Sequence, residues 1–228
     1  MSLIVAIEGA DGAGKATAAA GLVERLAARG IRAELISFPR YAATVGGHAL
    51  GEFLSGRMKR AVSPEAAAVL YALDRLESRA ELVLAAERSQ VLVMDRYIAS
   101  NMAYQAAKVD ESAAGAMMDW ILRLETDLFA LPRPDLSIYL DTPLEVAQDL
   151  ILRKRPRDYT ERSLDEHESD LELQRRVRAN YALMVERDLL GPWRHIRTVA
   201  GGALRPADEV ADELAAATFG RLREDASP

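Results

Sequence analysis

Short apolar runs alternate with longer amphipathic stretches along the whole chain. Five runs read as strands: Leu3–Ile7, Ala33–Phe38, Val91–Met94, Leu136–Leu140 and His195–Val199. Most are rich in Val, Ile and Leu, the pattern of strands covered on both faces. Helical spacing predicts helices at Lys15–Arg29, His48–Leu54, Ser63–Glu87, Ala99–Ala107, Ser112–Asp127, Leu144–Leu152, Asp165–Leu189 and Ala207–Leu222. Ser63-Pro64-Glu65 is a helix start, with a capping hydroxyl followed by proline in the first turn. Gly30 ends the first helix. Strands alternating with helices imply parallel strands joined by crossovers, hence an α/β, doubly wound sheet of five strands flanked by helices. The 228 residues suit one domain, expected over 1–222, with 223–228 a disordered tail.

Between the first strand and the first helix lies Glu8-Gly9-Ala10-Asp11-Gly12-Ala13-Gly14-Lys15-Ala16-Thr17. Strand, glycine-rich turn and helix come in the order that a phosphate-binding loop requires. Glycines let the backbone curl so that successive N–H groups face an anion. The helix N-terminus adds partial positive charge and Lys15 a full one. The guest expected here is a triphosphate, held by residues 9–17. One position departs from the usual pattern. The residue after the lysine, where a hydroxyl normally meets Mg²⁺, is Ala16, and the hydroxyl comes at Thr17. One residue turns a helix by about 100°, so Thr17 does not simply replace the missing ligand. Phosphate binding survives the change, and the way the metal is held becomes the open question.

Composition narrows the partners. The formal net charge is −6, which disfavours a bulk nucleic-acid binder but leaves room for a local basic site. Cysteine is absent, which excludes disulfides, thiolate metal sites and cysteine nucleophiles. No run approaches the length of a membrane span, and no signal peptide is read, so the expected compartment is the cytoplasm.

Other candidate chemistry sits at strand ends and on helix faces. Asp95 and Arg96 follow the third strand, at the sheet edge where ligands bind in open α/β folds. A carboxylate there can hold Mg²⁺ or its waters, and an arginine can fork onto a phosphate. An ion pair that merely closes the strand is the competing reading. Phe38-Pro39-Arg40-Tyr41 puts an aromatic ring, a rigid turn and a cation at the same edge. Tyr71 and Arg75 share one helix face, and Asn101 and Tyr104 share another. Their convergence would make a pocket for a flat base. Residues 153–162 carry five basic and two acidic side chains around Pro156. That segment reads as a charged loop on composition alone, and as a lid once the phosphate loop is considered. Asp165 and Glu168 suit a helix N-terminus on dipole grounds without any further role.

Together these motifs resemble the thymidylate kinase family. The resemblance rests on the loop at Glu8–Thr17, Phe38–Tyr41, Ala72–Arg75, Asp95–Tyr97, Ser100–Tyr104, the Arg133-Pro134-Asp135-Leu136 lead into the fourth strand, and Glu172-Leu173-Gln174-Arg175 in the helix after the lid. It implies a P-loop NTPase fold with a small lid at about 153–164, ATP and Mg²⁺ as cofactors, dTMP as acceptor, and a homodimer. By resemblance, Lys15 and the loop hold the donor phosphates, and Asp11 lies near the acceptor sugar and metal. Phe38 and Tyr71 pack on thymine, with Arg75 and Asn101 on its polar edge and Tyr104 against the sugar. Arg40, Tyr41 and Arg96 face the acceptor phosphate. Some members carry arginine where this chain has Gly12. The chain therefore resembles the class with catalytic arginines in the lid, with Arg153, Arg155, Arg157 and Arg162 as candidates. Mg²⁺ would be held by Asp11, Asp95 and Asp165 or Glu168, partly through water.

The alternatives are a deoxynucleoside kinase, another nucleoside monophosphate kinase, a nucleotide-dependent switch, and a binding module without turnover. Phe38–Tyr41 with Ser100–Tyr104 favours a thymidine monophosphate acceptor over the other kinases.

Overall fold

A computed structural model describes residues 2–152 and 170–225. Its centre is a parallel sheet of β1 (Leu3–Glu8), β2 (Ala33–Ser37), β3 (Val91–Asp95), β4 (Leu136–Asp141) and β5 (Trp193–Arg197), in the order β2-β3-β1-β4-β5. The first strand is therefore central, and the loop after it opens in the middle of the sheet's carboxyl edge. Register places Ile7 beside Asp95, and Ser37 beside Asp95 on the other side.

Alternate residues of each strand feed opposite cores. Leu3, Val5 and Ile7 pack with Val91, Val93 and Ile138. That layer is covered by α1 (Lys15–Ala27) and α9 (Ala207–Asp225). Ile4 and Ala6 pack on the other face with Leu92, Met94 and Tyr139. The second layer holds α3 (Pro64–Glu77), α5 (Ile98–Ala106), α6 (Glu111–Leu122) and α8 (Leu171–Glu186), while α2 (Val45–Leu54) packs on α3.

The structure shifts several of the expected boundaries. The helix predicted over 63–87 breaks at Ser78 into α3 and α4 (Arg79–Arg88). Ser78 Oγ donates back to the Asp74 carbonyl at 2.8 Å and accepts from Arg40 Nη1 at 3.1 Å, so side-chain bonds compete with helix continuation. The fifth strand lies two residues earlier than expected. Val199 belongs to a separate hairpin, β6 (Val199–Ala200) and β7 (Ala203–Leu204), turned by Gly201 and Gly202 at φ +59° and +80°. The helix predicted to Asp127 ends as α6 and continues as a π-helical turn, Arg123–Leu128. The remaining helix, α7 (Leu144–Leu152), matches its expected span. α9 continues to Asp225, and residues 226–228 lie outside the described residues.

Candidate active site

The loop after β1 has the geometry that an anion cradle needs. Gly9, Gly12 and Gly14 have φ of +151°, +78° and +81°, values that side-chain-bearing residues rarely adopt. Space imposes the same choice at two of them. A Cβ on Gly9 would lie 2.7 Å from the Leu140 carbonyl oxygen, and one on Gly12 would lie 2.2 Å from that of Ala147. Gly14 is the N-cap of α1 and offers no side-chain cap, so the first amides of that helix are left for a ligand. Lys15 is buried and its Nζ donates to the Ala10 carbonyl at 2.7 Å. Ala16 and Thr17 are both exposed at the start of the helix.

Asp11 is the hub of the site. One carboxylate oxygen pairs with Arg96 Nη2, and the other accepts from Tyr104 Oη at 2.6 Å and Gln174 Nε2 at 3.0 Å. The Asp11 amide donates to Gln174 Oε1 at 3.2 Å. Arg96 adopts φ +65° directly after β3, which turns its side chain back across the loop. Its Nη1 reaches the Gly9 carbonyl at 3.4 Å and Ser100 Oγ at 3.2 Å, and its guanidinium lies 5.4 Å from the Tyr104 ring centroid. Burial alone would lower the Arg96 pKa, but the charge of the Asp11 carboxylate opposes it and the guanidinium stays above its usual value. Burial, reinforced by Asp11, pushes the Tyr104 hydroxyl well above its usual range, so it remains a proton donor.

Beneath Arg96 lies a second carboxylate, Glu8, fully buried at the end of β1. It accepts from the Tyr97 amide at 2.8 Å, Ser100 Oγ at 2.6 Å and Tyr181 Oη at 2.9 Å. Burial raises its pKa despite these three donors. Tyr181 stacks on Tyr139, and Tyr139 stacks on His195 at the sheet edge.

A third cluster gathers the candidate base-binding groups. Phe38 is buried, with the Arg75 guanidinium 5.9 Å from its ring centroid. Arg75 is itself buried and forms a two-pronged ion pair with Glu125, at 2.5 and 2.6 Å. Asn101 Nδ2 donates to Glu125 at 2.8 Å and to the Ala68 carbonyl at 3.0 Å. Asn101 Oδ1 and Gln105 Nε2, one turn apart on α5, are buried without a hydrogen-bond partner among the described residues. Gln105 Oε1 accepts from Lys108 Nζ at 3.0 Å. Tyr71 is half-buried on α3, one turn before Arg75.

The structure thus brings together Asp11, Lys15, Arg96 and Tyr104 at the loop, and Phe38, Arg75 and Asn101 at the base cluster. Arg40 bonds to α3 and α4. Its guanidinium is taken up by Ser78 and, at 2.7 Å, by Glu81, while its amide donates to Asp74 at 3.0 Å. Pro39 follows a cis peptide bond, and Tyr41 is half-buried after it. Asp95 is half-buried beside the loop. Arg153, Arg155, Arg157, Arg162, Asp165 and Glu168 lie outside the described residues. The residue reading did not single out Glu125, Gln174, Tyr181 or Gln105 as site residues. A lone acid after Leu124, and a glutamine and a tyrosine seven apart on one helix face, were the signals available.

Similarity to known proteins agrees with this geometry. The family model for thymidylate kinase matches residues 7–189. The thymidylate kinase of Mycobacterium tuberculosis is 36% identical over 192 residues, covering 84% of this chain and 89% of that protein. That of Thermomicrobium roseum is 34% identical over 220 residues, covering 94% and 93%. The solved structure of thymidylate kinase from Candida albicans superposes with a TM-score of 0.72 at 25% identity, over 96% of this chain and 93% of that one. The sheet order and the loop after β1 are those of a P-loop NTPase, and the chain belongs to the thymidylate kinase family.

Proposed function

We propose that this chain transfers the γ-phosphoryl group of ATP to the phosphate of dTMP, giving dTDP and ADP. The observation that carries the acceptor reading is the buried, unpaired Asn101 Oδ1 beside Arg75 and Phe38. A buried polar atom without a partner costs about 1–3 kcal/mol, so its partner is expected in a ligand. Thymine offers N3–H to an acceptor and O4 to a cation, and its ring suits the Phe38 and Tyr71 rings. Gln105 Nε2 supplies a further buried donor. By the family resemblance Tyr104, whose hydroxyl is held by Asp11, would crowd the sugar's 2′ position and favour deoxyribose.

Phosphoryl transfer is mostly positioning and charge neutralisation. Lys15 and the loop amides would hold the donor phosphates. Arg96, pinned by Asp11 and Ser100, would hold the acceptor phosphate, one of whose oxygens attacks the γ-phosphorus as ADP leaves. When bound, Mg²⁺ would supply charge neutralisation at the transferring group. Among the described residues no cluster of three metal-ligating side chains exists. Asp95 fits as a direct oxygen donor, next to Ile7 in register and one step from the loop. Asp11, whose oxygens already accept protein donors, fits as a ligand through water. A lid at about 153–164, with Arg153 or Arg157 on the transferring group and Asp165 or Glu168 near the metal, belongs to the same reading on sequence grounds.

The reading further assigns a cytoplasmic homodimer. No described helix is long and apolar enough to cross a membrane. Val69 on α3 and Val83 and Leu84 on α4 are 40–53% exposed, and these faces support the dimer. A coupled assay of ADP release with ATP and Mg²⁺ tests the function. dTMP is expected to drive turnover, dUMP more weakly, and thymidine, dCMP, dAMP and dGMP at background. Preference for thymidine would move the assignment to a nucleoside kinase.

A further inference from the structure

Glu125 occupies the π-helical turn that extends α6, and it is fully buried. Its carboxylate holds Arg75 Nε and Nη2 through two oxygens and accepts Asn101 Nδ2 on one of them. The other bond from Asn101 Nδ2 runs to the Ala68 carbonyl. Both neighbours of this amide nitrogen are therefore pure acceptors. Flipping the Asn101 amide would set its oxygen against a carboxylate and a carbonyl and lose two buried bonds. Only one orientation is compatible with that surrounding, and it leaves Oδ1 as the atom without a partner.

We infer that Glu125 is a positioning residue that sets base specificity, by locking Asn101 so that its acceptor is the unpaired atom while fixing Arg75 beside it. The inference rests on the dTMP reading above. An acceptor next to a cation matches the imide edge of thymine or uracil, which presents N3–H and a carbonyl. Cytosine has the opposite polarity, with an acceptor at N3 and an amine at C4. It would place acceptor against acceptor and amine against guanidinium. Glu125 never needs to touch the base for this. With a glutamine at 125, the side chain can offer a donor to Asn101, and of the two acceptors that fix the amide only the Ala68 carbonyl is left.

The test is steady-state kinetics of Glu125→Gln, with a melting curve to establish folding. The KM for dTMP is expected to rise by about 10-fold or more, and the preference for dTMP over dCMP in kcat/KM to fall by at least about 10-fold. The KM for ATP should stay within about twofold, which a general loss of structure would not allow. If the variant does not melt cooperatively, Glu125→Asp keeps the charge, shortens the reach, and is expected to raise the dTMP KM alone. A second arm uses the native protein. dTMP methylated at N3 should bind on the order of 100-fold more weakly than dTMP. Unchanged dTMP/dCMP preference in a folded variant, or equal affinity for the N3-methyl analogue, would overturn the inference while leaving dTMP turnover intact. Absence of dTMP-dependent turnover in the native protein would instead overturn the acceptor reading itself.

Discussion

Gln174 holds Asp11 at two points, donating to its carboxylate at 3.0 Å and accepting from its backbone amide at 3.2 Å. Seven residues on, Tyr181 donates to Glu8, at the last position before the loop glycines. Two turns of α8 thus grip both ends of the turn that begins the phosphate loop. α8 is also the first described helix after residues 153–169. Gln174→Leu removes both of these bonds, one of them to the Asp11 amide. The expected loss is about 1–3 kcal/mol of transition-state stabilisation, or roughly 5- to 150-fold in kcat/KM. Kinetics within twofold of the native protein would show that Asp11 is held in place without Gln174.

Ala16 bears on how the metal is held. It is exposed at the second position of α1, so a hydroxyl can be added there without repacking the core. Ala16→Ser is expected to change stability by less than about 0.5 kcal/mol. The same change should lower the Mg²⁺ concentration that gives half-maximal turnover, because it restores the hydroxyl that usually meets the metal. A Mg²⁺ titration of both proteins reads this directly, and identical curves would place the metal away from the start of the helix.

Gly12 explains why this chain does not use a loop arginine. The position combines φ +78° with a carbonyl, that of Ala147 on α7, 2.2 Å from where a Cβ would be. Gly12→Arg is expected to destabilise the fold by about 2–5 kcal/mol, from backbone strain together with overpacking. Chemical denaturation checks it. A variant as stable as the native protein would mean that α7 moves aside freely.

Acid stability depends in part on the carboxyl end of β4. Burial would raise the Asp141 pKa, but bonds from Arg178 at 2.7 Å and His195 at 3.1 Å outweigh it and hold the carboxyl below its usual 3.8. A group depressed in the folded state gives stability that is present above its unfolded value and lost as pH falls through the folded one. Asp141→Asn should therefore lose less melting temperature than the native protein between neutral pH and pH values below 3.8. Parallel curves for the two proteins would contradict this.

The sheet and the loop were legible because their signals are local. Parallel strands buried on both faces leave continuous apolar runs, and a phosphate loop needs glycines and a lysine at fixed spacing. The break at Ser78 was not legible, since it depends on Arg40 arriving from the end of β2. The fifth strand was misplaced by two residues because Val199 extends its apolar pattern although it pairs in the hairpin. In the site, Asp11, Arg96, Arg75 and Asn101 stood out as charged or polar groups in motifs. Their supports, Glu125, Gln174 and Tyr181, act across 24 to 173 residues of chain, and no local spacing records such contacts. Arg40 shows the converse, a residue within a motif whose side chain is bound to Ser78 and Glu81.

The most direct test of the central claim is phosphorus NMR of ATP, Mg²⁺ and dTMP with catalytic amounts of the protein. Stoichiometric appearance of dTDP and ADP, without inorganic phosphate, is the expected result. ATP breakdown to ADP and inorganic phosphate with dTMP unchanged would contradict it.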